Sequence, residues 1–196
     1  MDYKDTSLWR NTLGIQSDQY IERLRTSYIS FRKKMSGLLD EVRRDFPNLT
    51  DHSIDHVDNL WRLASLILGD NYPINPLEGY ILGCSFLVHD SILSYEAFGG
   101  KDTLRNTIEW KDCYQDIIGT VYDNEEGKHK IDFKVIRQLH AKNCSNILFR
   151  QFAGIDNSSH YLLTDDEMRN HYGQLIGEIA SSHHWETDKI LNLPSQ

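Results

Sequence analysis

The feature that most constrains this chain is a run of apolar residues at helical spacing near its start. Ile21, Leu24, Tyr28, Phe31, Met35, Leu38 and Val42 recur every three or four positions, which puts them on one stripe of a single long helix. Pro47 stops it. The same period returns downstream. A second helix is predicted from Thr50 or Asp51, with Leu60, Leu63, Ala64 and Ile67 as its inner face and Gly69-Asp70-Asn71 closing it. A third opens on Asn75 as N-cap, with Pro76 at the first helical position and Glu78 reaching back as in a capping box, and runs to Val88. Residues 103–123 and 132–152 are predicted as two more, joined by a polar loop. Thr164-Asp165-Asp166-Glu167 reads as a capping box that opens a last helix towards His184. Residues 154–164 read as irregular. No alternating β-branched run is long enough to predict a sheet. The expected fold is all-α, a single-domain helical bundle of six or seven helices.

Composition narrows the function classes. The 196 residues carry 21 Lys+Arg against 29 Asp+Glu, a net charge of −8, and no predicted helix bears a basic stripe. Both observations argue against binding nucleic acid through its phosphates. Cys84, Cys113 and Cys144 form no CxxC pair and leave one over from any pairing. That speaks against a disulfide framework and for a reducing cytoplasmic location. No apolar stretch approaches the roughly 20 residues that span a bilayer, and the acidic start Met1-Asp2-Tyr3-Lys4-Asp5 has no apolar core. No membrane association is therefore expected.

The nine histidines acquire meaning from their positions. His56 precedes Leu60, Leu63 and Ile67 by four, seven and eleven residues and shares their face; His52 lies one turn earlier. His89 and Asp90 end the third helix. His140 continues the face of Phe133 and Ile136. His183 continues that of Ile176, Ile179 and Ala180, with His184 beside it. A single inward histidine is ordinarily a core residue bonded to a carbonyl. Four helices that each deliver one, with an aspartate beside one of them, point instead to a shared metal, since several buried imidazoles each need a partner. Imidazole with carboxylate suits a divalent transition metal such as zinc, iron or manganese, as one ion or two. Such a set also leaves positions for water, as hydrolysis requires. His129, His160 and His171 lack this context and are expected at the surface.

These residues carry a family resemblance. Thr50-Asp51-His52-Ser53-Ile54-Asp55-His56-Val57 followed by Leu87-Val88-His89-Asp90 resembles the HD superfamily of metal-dependent phosphohydrolases, named for a His…His-Asp…Asp constellation on a helical bundle. Val135-Ile136-Arg137-Gln138-Leu139-His140 and Ile179-Ala180-Ser181-Ser182-His183-His184 resemble the extra histidines of its two-metal members, such as the HD-GYP phosphodiesterases. Phe46-Pro47-Asn48-Leu49-Thr50-Asp51-His52 extends the similarity to HD domains of bacterial conflict and stress proteins. Some of those carry a chaperone-type GHKL ATPase domain after the HD part.

The resemblance implies a bundle of the HD/PDEase type over residues 19–196, after an N-terminal extension of residues 1–18. It implies that His56, His89 and Asp90 hold one metal, and that Asp90 bridges to a second held by His140 and His183 or His184. The family's closing Asp has no match, since Asp188 follows too soon after His184. Two expectations stay open on this point: a domain lacking its C-terminal helix at the front of a longer protein, or a site closed another way. Ser91-Ile92-Leu93-Ser94 stands where HD-GYP enzymes carry Gly-Lys, which argues against a cyclic dinucleotide substrate.

The implied activity is a metal-dependent phosphohydrolase or phosphodiesterase acting on a nucleotide or related phosphate ester. His52 reads either as a general acid or phosphate contact at the rim, or as a polar residue near the helix N-cap. Arg137 reads as a phosphate clamp or as a solvated charge. Trp185 has the better claim among the tryptophans to line a pocket, with Trp61 and Trp110 as packing residues. The alternative is a non-catalytic sensing or interaction module, which binds metal or nucleotide and regulates a partner ATPase domain of the GHKL type.

Overall fold

A 3-10 turn at Tyr3–Asp5 and helix α1 (Ser7–Asn11) lead into α2 (Gln19–Asp45), whose N-cap Asp18 accepts from the amides of Tyr20 and Ile21. Every predicted stripe residue of α2 is buried. The structure, a computed structural model, describes residues 2–16, 18–153 and 158–191. Onward run α3 (Ile54–Leu68), α4 (Pro76–Val88), α5 (Tyr95–Phe98), α6 (Lys101–Arg105), α7 (Ile108–Gln115), α8 (Glu125–Leu139) and α9 (Cys144–Phe149). A two-stranded antiparallel ribbon follows, β1 (Gln151–Ala153) with β2 (Ser159–Tyr161), in the register Phe152 opposite His160. Helices α10 (Asp166–Ser181) and α11 (Thr187–Leu191) complete it. The fold is all-α apart from that ribbon, and among the described residues no helix is long and apolar enough to cross a membrane.

Helix α4 is the axis. Its predicted Asn75–Glu78 capping box forms in both directions, and it packs against α2 and α10. Tyr80, Ile81, Cys84, Leu87 and Val88 are all buried, so this helix is apolar around most of its circumference, as an enclosed helix must be. Two close approaches set its neighbours. A Cβ on Gly83 would lie 2.2 Å from the Trp61 ring, which brings α3 onto α4, and Trp61 Nε1 donates to Tyr28 Oη at 2.7 Å. A Cβ on Gly177 would lie 2.4 Å from Ser145 Cα, so α10 meets α9 backbone to backbone. Backbone cannot step aside as a flexible side chain can. Gly177→Ala is therefore expected to destabilise the protein by about 3 kcal/mol, read from urea melts; unchanged stability would mean that α10 is free to slide.

Several sequence expectations are corrected by packing. Leu63 and Ile67, expected inside, are exposed, and the buried residues of α3 are Val57 and Trp61. The helix is apolar on more than one face, and the largest ring decides which face turns inward. Residues 103–123 do not form one helix. Thr107 caps a new one by accepting from the Trp110 amide, and the chain turns again at Gly119, with φ of 73°. The helix expected over 132–152 starts earlier, at the Asn124 cap, and ends at His140. The last long helix is capped by Asp165, not Thr164. The irregular stretch holds the ribbon, and residues 154–157 of it lie outside the described residues. Before α2, Tyr3, Leu8, Trp9 and Leu13 are buried in the main core, and Trp9 lies edge-on to Trp61 with centroids 5.4 Å apart.

A second core cluster, including Val42, Phe46, Trp110, Val135 and Ile136, joins α2 to α7 and α8. At its margin Asp132 is fully buried. It accepts from Arg105 Nε at 3.0 Å and Nη2 at 2.9 Å, from Trp110 Nε1 at 2.7 Å and from Tyr95 Oη at 2.8 Å. A buried carboxylate with this many donors is fully satisfied, and it locks α5, α6 and α7 onto α8.

Candidate metal centre

Three helices end at one place. His89 is the C-cap of α4, His140 is the C-cap of α8, and His183 lies in the 3-10 turn Ser182–His184 that follows α10. The start of α3 faces them with His52 and His56. Helix C-termini carry partial negative charge, so three of them together favour a cation. Asp90, the residue after the α4 C-cap, stands in the middle.

The carboxylate of Asp90 faces two groups of imidazoles. Its Oδ2 lies 2.9 Å from His89 Nε2 and 3.1 Å from His52 Nδ1. Its Oδ1 lies 3.9 Å from His140 Nε2 and 3.8 Å from His183 Nε2. Ligand atoms of His52, His56 and Asp90 all fall within 4.8 Å of one another, as do those of His140, His183 and His184. His89 completes the first group, its ring centroid 5.7 Å from that of His56.

The tautomers are fixed by backbone. His89 Nδ1 donates to Phe86 O at 2.7 Å, His140 Nδ1 to Arg137 O at 2.8 Å, and His183 Nδ1 to Ala180 O. Each carbonyl lies three residues earlier, in the last turn of its helix. A carbonyl can only accept, so in the neutral ring Nδ1 carries the proton and Nε2 presents a lone pair, the arrangement that outer-shell partners impose on metal-binding histidines. For His140 and His183 those Nε2 atoms are 3.2 Å apart. Two facing lone pairs repel unless a proton or a cation lies between them. Burial pushes His140 down to about 4 and lowers His183 as well, which disfavours the proton. The donor set of imidazoles and a carboxylate fits a divalent transition metal.

The first group is electrostatically different. Burial lowers His56, with the neighbouring His89 charge acting the same way. Burial opposes charge on His89 too, but the hydrogen bond and charge of Asp90 outweigh it and raise this ring. Burial would raise Asp90, yet hydrogen bonds from His52 and His89 hold it well below the usual carboxylate range. His52 makes its second contact, through Nε2, with Thr50 Oγ1 at 3.2 Å.

The metal-free protein has a pH dependence of known sign. His140 has its folded value, about 4, below its unfolded 6.5, so the unfolded state binds more protons between those values. Stability from this residue is complete above pH 6.5 and is lost as pH falls towards 4, by about 3 kcal/mol. His56 and His183 act in the same direction, and the raised His89 acts against them. In chelator, the slope of unfolding free energy against pH between 6.5 and 4 is expected to flatten in His140→Leu. An identical slope in the variant would contradict the assignment.

The structure thus brings His52, His56, His89, Asp90, His140, His183 and His184 together. It does not bring the Arg137 side chain to them: this residue is exposed, its guanidinium 5.8 Å over the Phe133 ring. The contact it makes with the site is its main-chain carbonyl, which holds His140. Trp185 is half-buried, with Lys189 Nζ 3.6 Å over its ring. Beside His52 a cavity of about 430 Å³ opens between the end of α2 and the turn before α3, with Arg43, Thr50, Asp51 and Ser53 among its lining. The orienting carbonyls had one trace in the sequence, the placement of three histidines at or just past a helix end. His129, expected at the surface, is half-buried, bonded to Tyr95 and stacked on Phe46. The sequence holds no local signal for that.

The sequence model of the HD-CE family, an HD-type domain, matches residues 46–196. No curated protein and no solved structure matches the chain.

Proposed function

The chain belongs to the HD-CE family, and from that premise we propose that it is a metal-dependent phosphohydrolase acting on a nucleotide or related phosphate ester. The observation that carries this reading is Asp90 lying between two imidazole groups, one oxygen turned to each. His56, His89 and Asp90 would hold one divalent ion, and Asp90 with His140, His183 and His184 a second. Such ions supply a lowered pKa for bound water and neutralise charge on phosphate oxygens.

The chain's own residues account for the rest. The orienting carbonyls keep the Nε2 atoms of His140 and His183 available as ligands, and that of His89 once it gives up the proton it shares with Asp90. Among the described residues Ser53, the N-cap of α3, makes no side-chain cap bond, which suits the start of that helix to meeting an anion beside the site. With Nδ1 3.1 Å from Asp90 Oδ2 and Nε2 3.2 Å from Thr50 Oγ1, an imidazolium at His52 would be held by the carboxylate at Nδ1 and could pass its Nε2 proton to a leaving oxygen. The cavity beside it is of a size for the remainder of a nucleotide.

A second reading has its own support. Among the described residues, Asp90 is the sole carboxylate in the two candidate ligand groups. A centre so poor in negative charge suits a module that binds metal or nucleotide without turnover and regulates a partner, an ATPase of the GHKL type in the bacterial conflict proteins that the sequence resembles. Elemental analysis of protein purified without chelator, with a nucleotide and phosphodiester panel assayed in Mn²⁺, separates the two. Bound metal with turnover lost in His89→Ala is expected of the enzyme. Bound metal with no turnover of any substrate favours the module, and absence of both metal and turnover contradicts the enzyme.

A further inference from the structure

We propose that the protein has a second ligand site, independent of metal, that takes the planar ring of a nucleobase or nucleoside between α8 and the turn at residues 47–49. A cavity of about 360 Å³ lies there, lined by Phe46, Pro47, Asn48, Leu49, His129 and Phe133, among others. None of these belongs to the two candidate ligand groups of the metal centre.

His129 is the reason to read this cavity as a site. Its ring stacks on Phe46, centroids 5.2 Å apart and planes 20° from parallel. Its Nδ1 is 2.9 Å from Tyr95 Oη, and Tyr95 in turn donates to Asp132 at 2.8 Å. Asp132 is fully buried and held by Arg105 and Trp110, so the hydroxyl proton of Tyr95 is committed to it. The Tyr95 oxygen is then the acceptor and His129 Nδ1 the donor. That leaves Nε2 as an acceptor, and among the described residues it has no hydrogen-bond partner. A solvated histidine needs no such relay; an imidazole that must present one fixed acceptor does.

The rest of the wall states the ligand chemistry. Phe133 offers an aromatic face, and Pro47 and Leu49 offer apolar surface, which together suit a flat ring. Asn48, also in the lining, adds an amide that can both donate and accept. Lys130, in the lining, is paired with Glu126 at 2.7 Å, so its charge already has a partner. A flat, neutral ring edged with N–H donors and acceptors is a nucleobase, and the volume admits a nucleoside. The site also adjoins the metal centre: Phe46, Pro47 and Leu49 line both this cavity and the one beside His52.

The test uses the full chain in chelator, titrated by calorimetry with adenosine, guanosine, cytidine and uridine. At least one is expected to bind saturably, one per chain. Affinity should fall about tenfold in Phe133→Ala, fall in Asn48→Ala, and stay unchanged in His140→Ala. Should Phe133→Ala fail to fold, wild-type protein answers through the side-chain ¹⁵N resonances. His129 Nε2 should shift on titration while those of His140 and His183 stay in place. The proposal is overturned if no nucleoside binds, if binding ignores both cavity substitutions, or if His140 and His183 respond and His129 does not. The activity proposed above can fail without affecting these outcomes, because they require neither metal nor turnover.

Discussion

Asp90→Ala is expected to lose metal from both histidine groups and to lower hydrolysis by about 10³-fold or more. The expectation rests on position. One oxygen of Asp90 faces His52 and His89 at 3.1 and 2.9 Å, and the other faces His140 and His183 at 3.9 and 3.8 Å. Among the described residues it is the one carboxylate in the two candidate ligand groups, a member of the His52 and His56 group that also reaches towards the other. Removing it takes away negative charge that a cation on either side would share, and metal stabilisation of a phosphoryl transition state is worth several kcal/mol. His140→Ala should behave differently, because His140 belongs to one group only. Elemental analysis of the two variants beside wild type reads the contrast directly. Full metal content in Asp90→Ala would mean that the carboxylate is not a ligand. Equal loss in both variants would mean that the centre binds its ions as one inseparable unit.

Chelation should have the second-largest effect, on thermal stability. The metal-free centre holds six imidazoles around one carboxylate, with the Nε2 atoms of His140 and His183 facing each other at 3.2 Å. A ligand that binds only the folded chain stabilises it by mass action, by about 4 kcal/mol at a thousandfold excess over its Kd. For a chain of this length that amounts to about 8–16 °C in melting temperature. Differential scanning calorimetry with Mn²⁺, and again with chelator, measures it. The shift should shrink in Asp90→Ala more than in His140→Ala, and the absence of any shift in wild type would sink the metal assignment.

Much of the candidate site is legible in the sequence. His56, His89, Asp90, His140, His183 and His184 fall at helix ends or on apolar faces by spacing alone, and the structure brings all six together. The Asn75 capping box was equally legible, because a cap involves four consecutive residues. What failed was orientation where local signals were ambiguous. Leu63 and Ile67 lie on the predicted face of α3, yet Trp61 turned a different side inward, and a helix apolar on several faces cannot declare its core side by period. Residues 103–123 keep a helical pattern through Thr107, although Thr107 is the cap of a new helix. His129 reads as a surface residue because its partners, Phe46 and Tyr95, lie on other parts of the fold.

The sequence by itself therefore determined the helical class, the starts of α2, α4 and α10 and the set of imidazoles, since caps and periodicity act within a turn or two of chain. Tertiary structure alone decided which lone pairs meet. The contact between His140 and His183 spans 43 residues and depends on α10 lying against α9 at Gly177. The fixed acceptor of His129 depends on a carboxylate buried beneath it by α6 and α7. Distances of that kind are set by how whole helices pack, and only the packed molecule contains them.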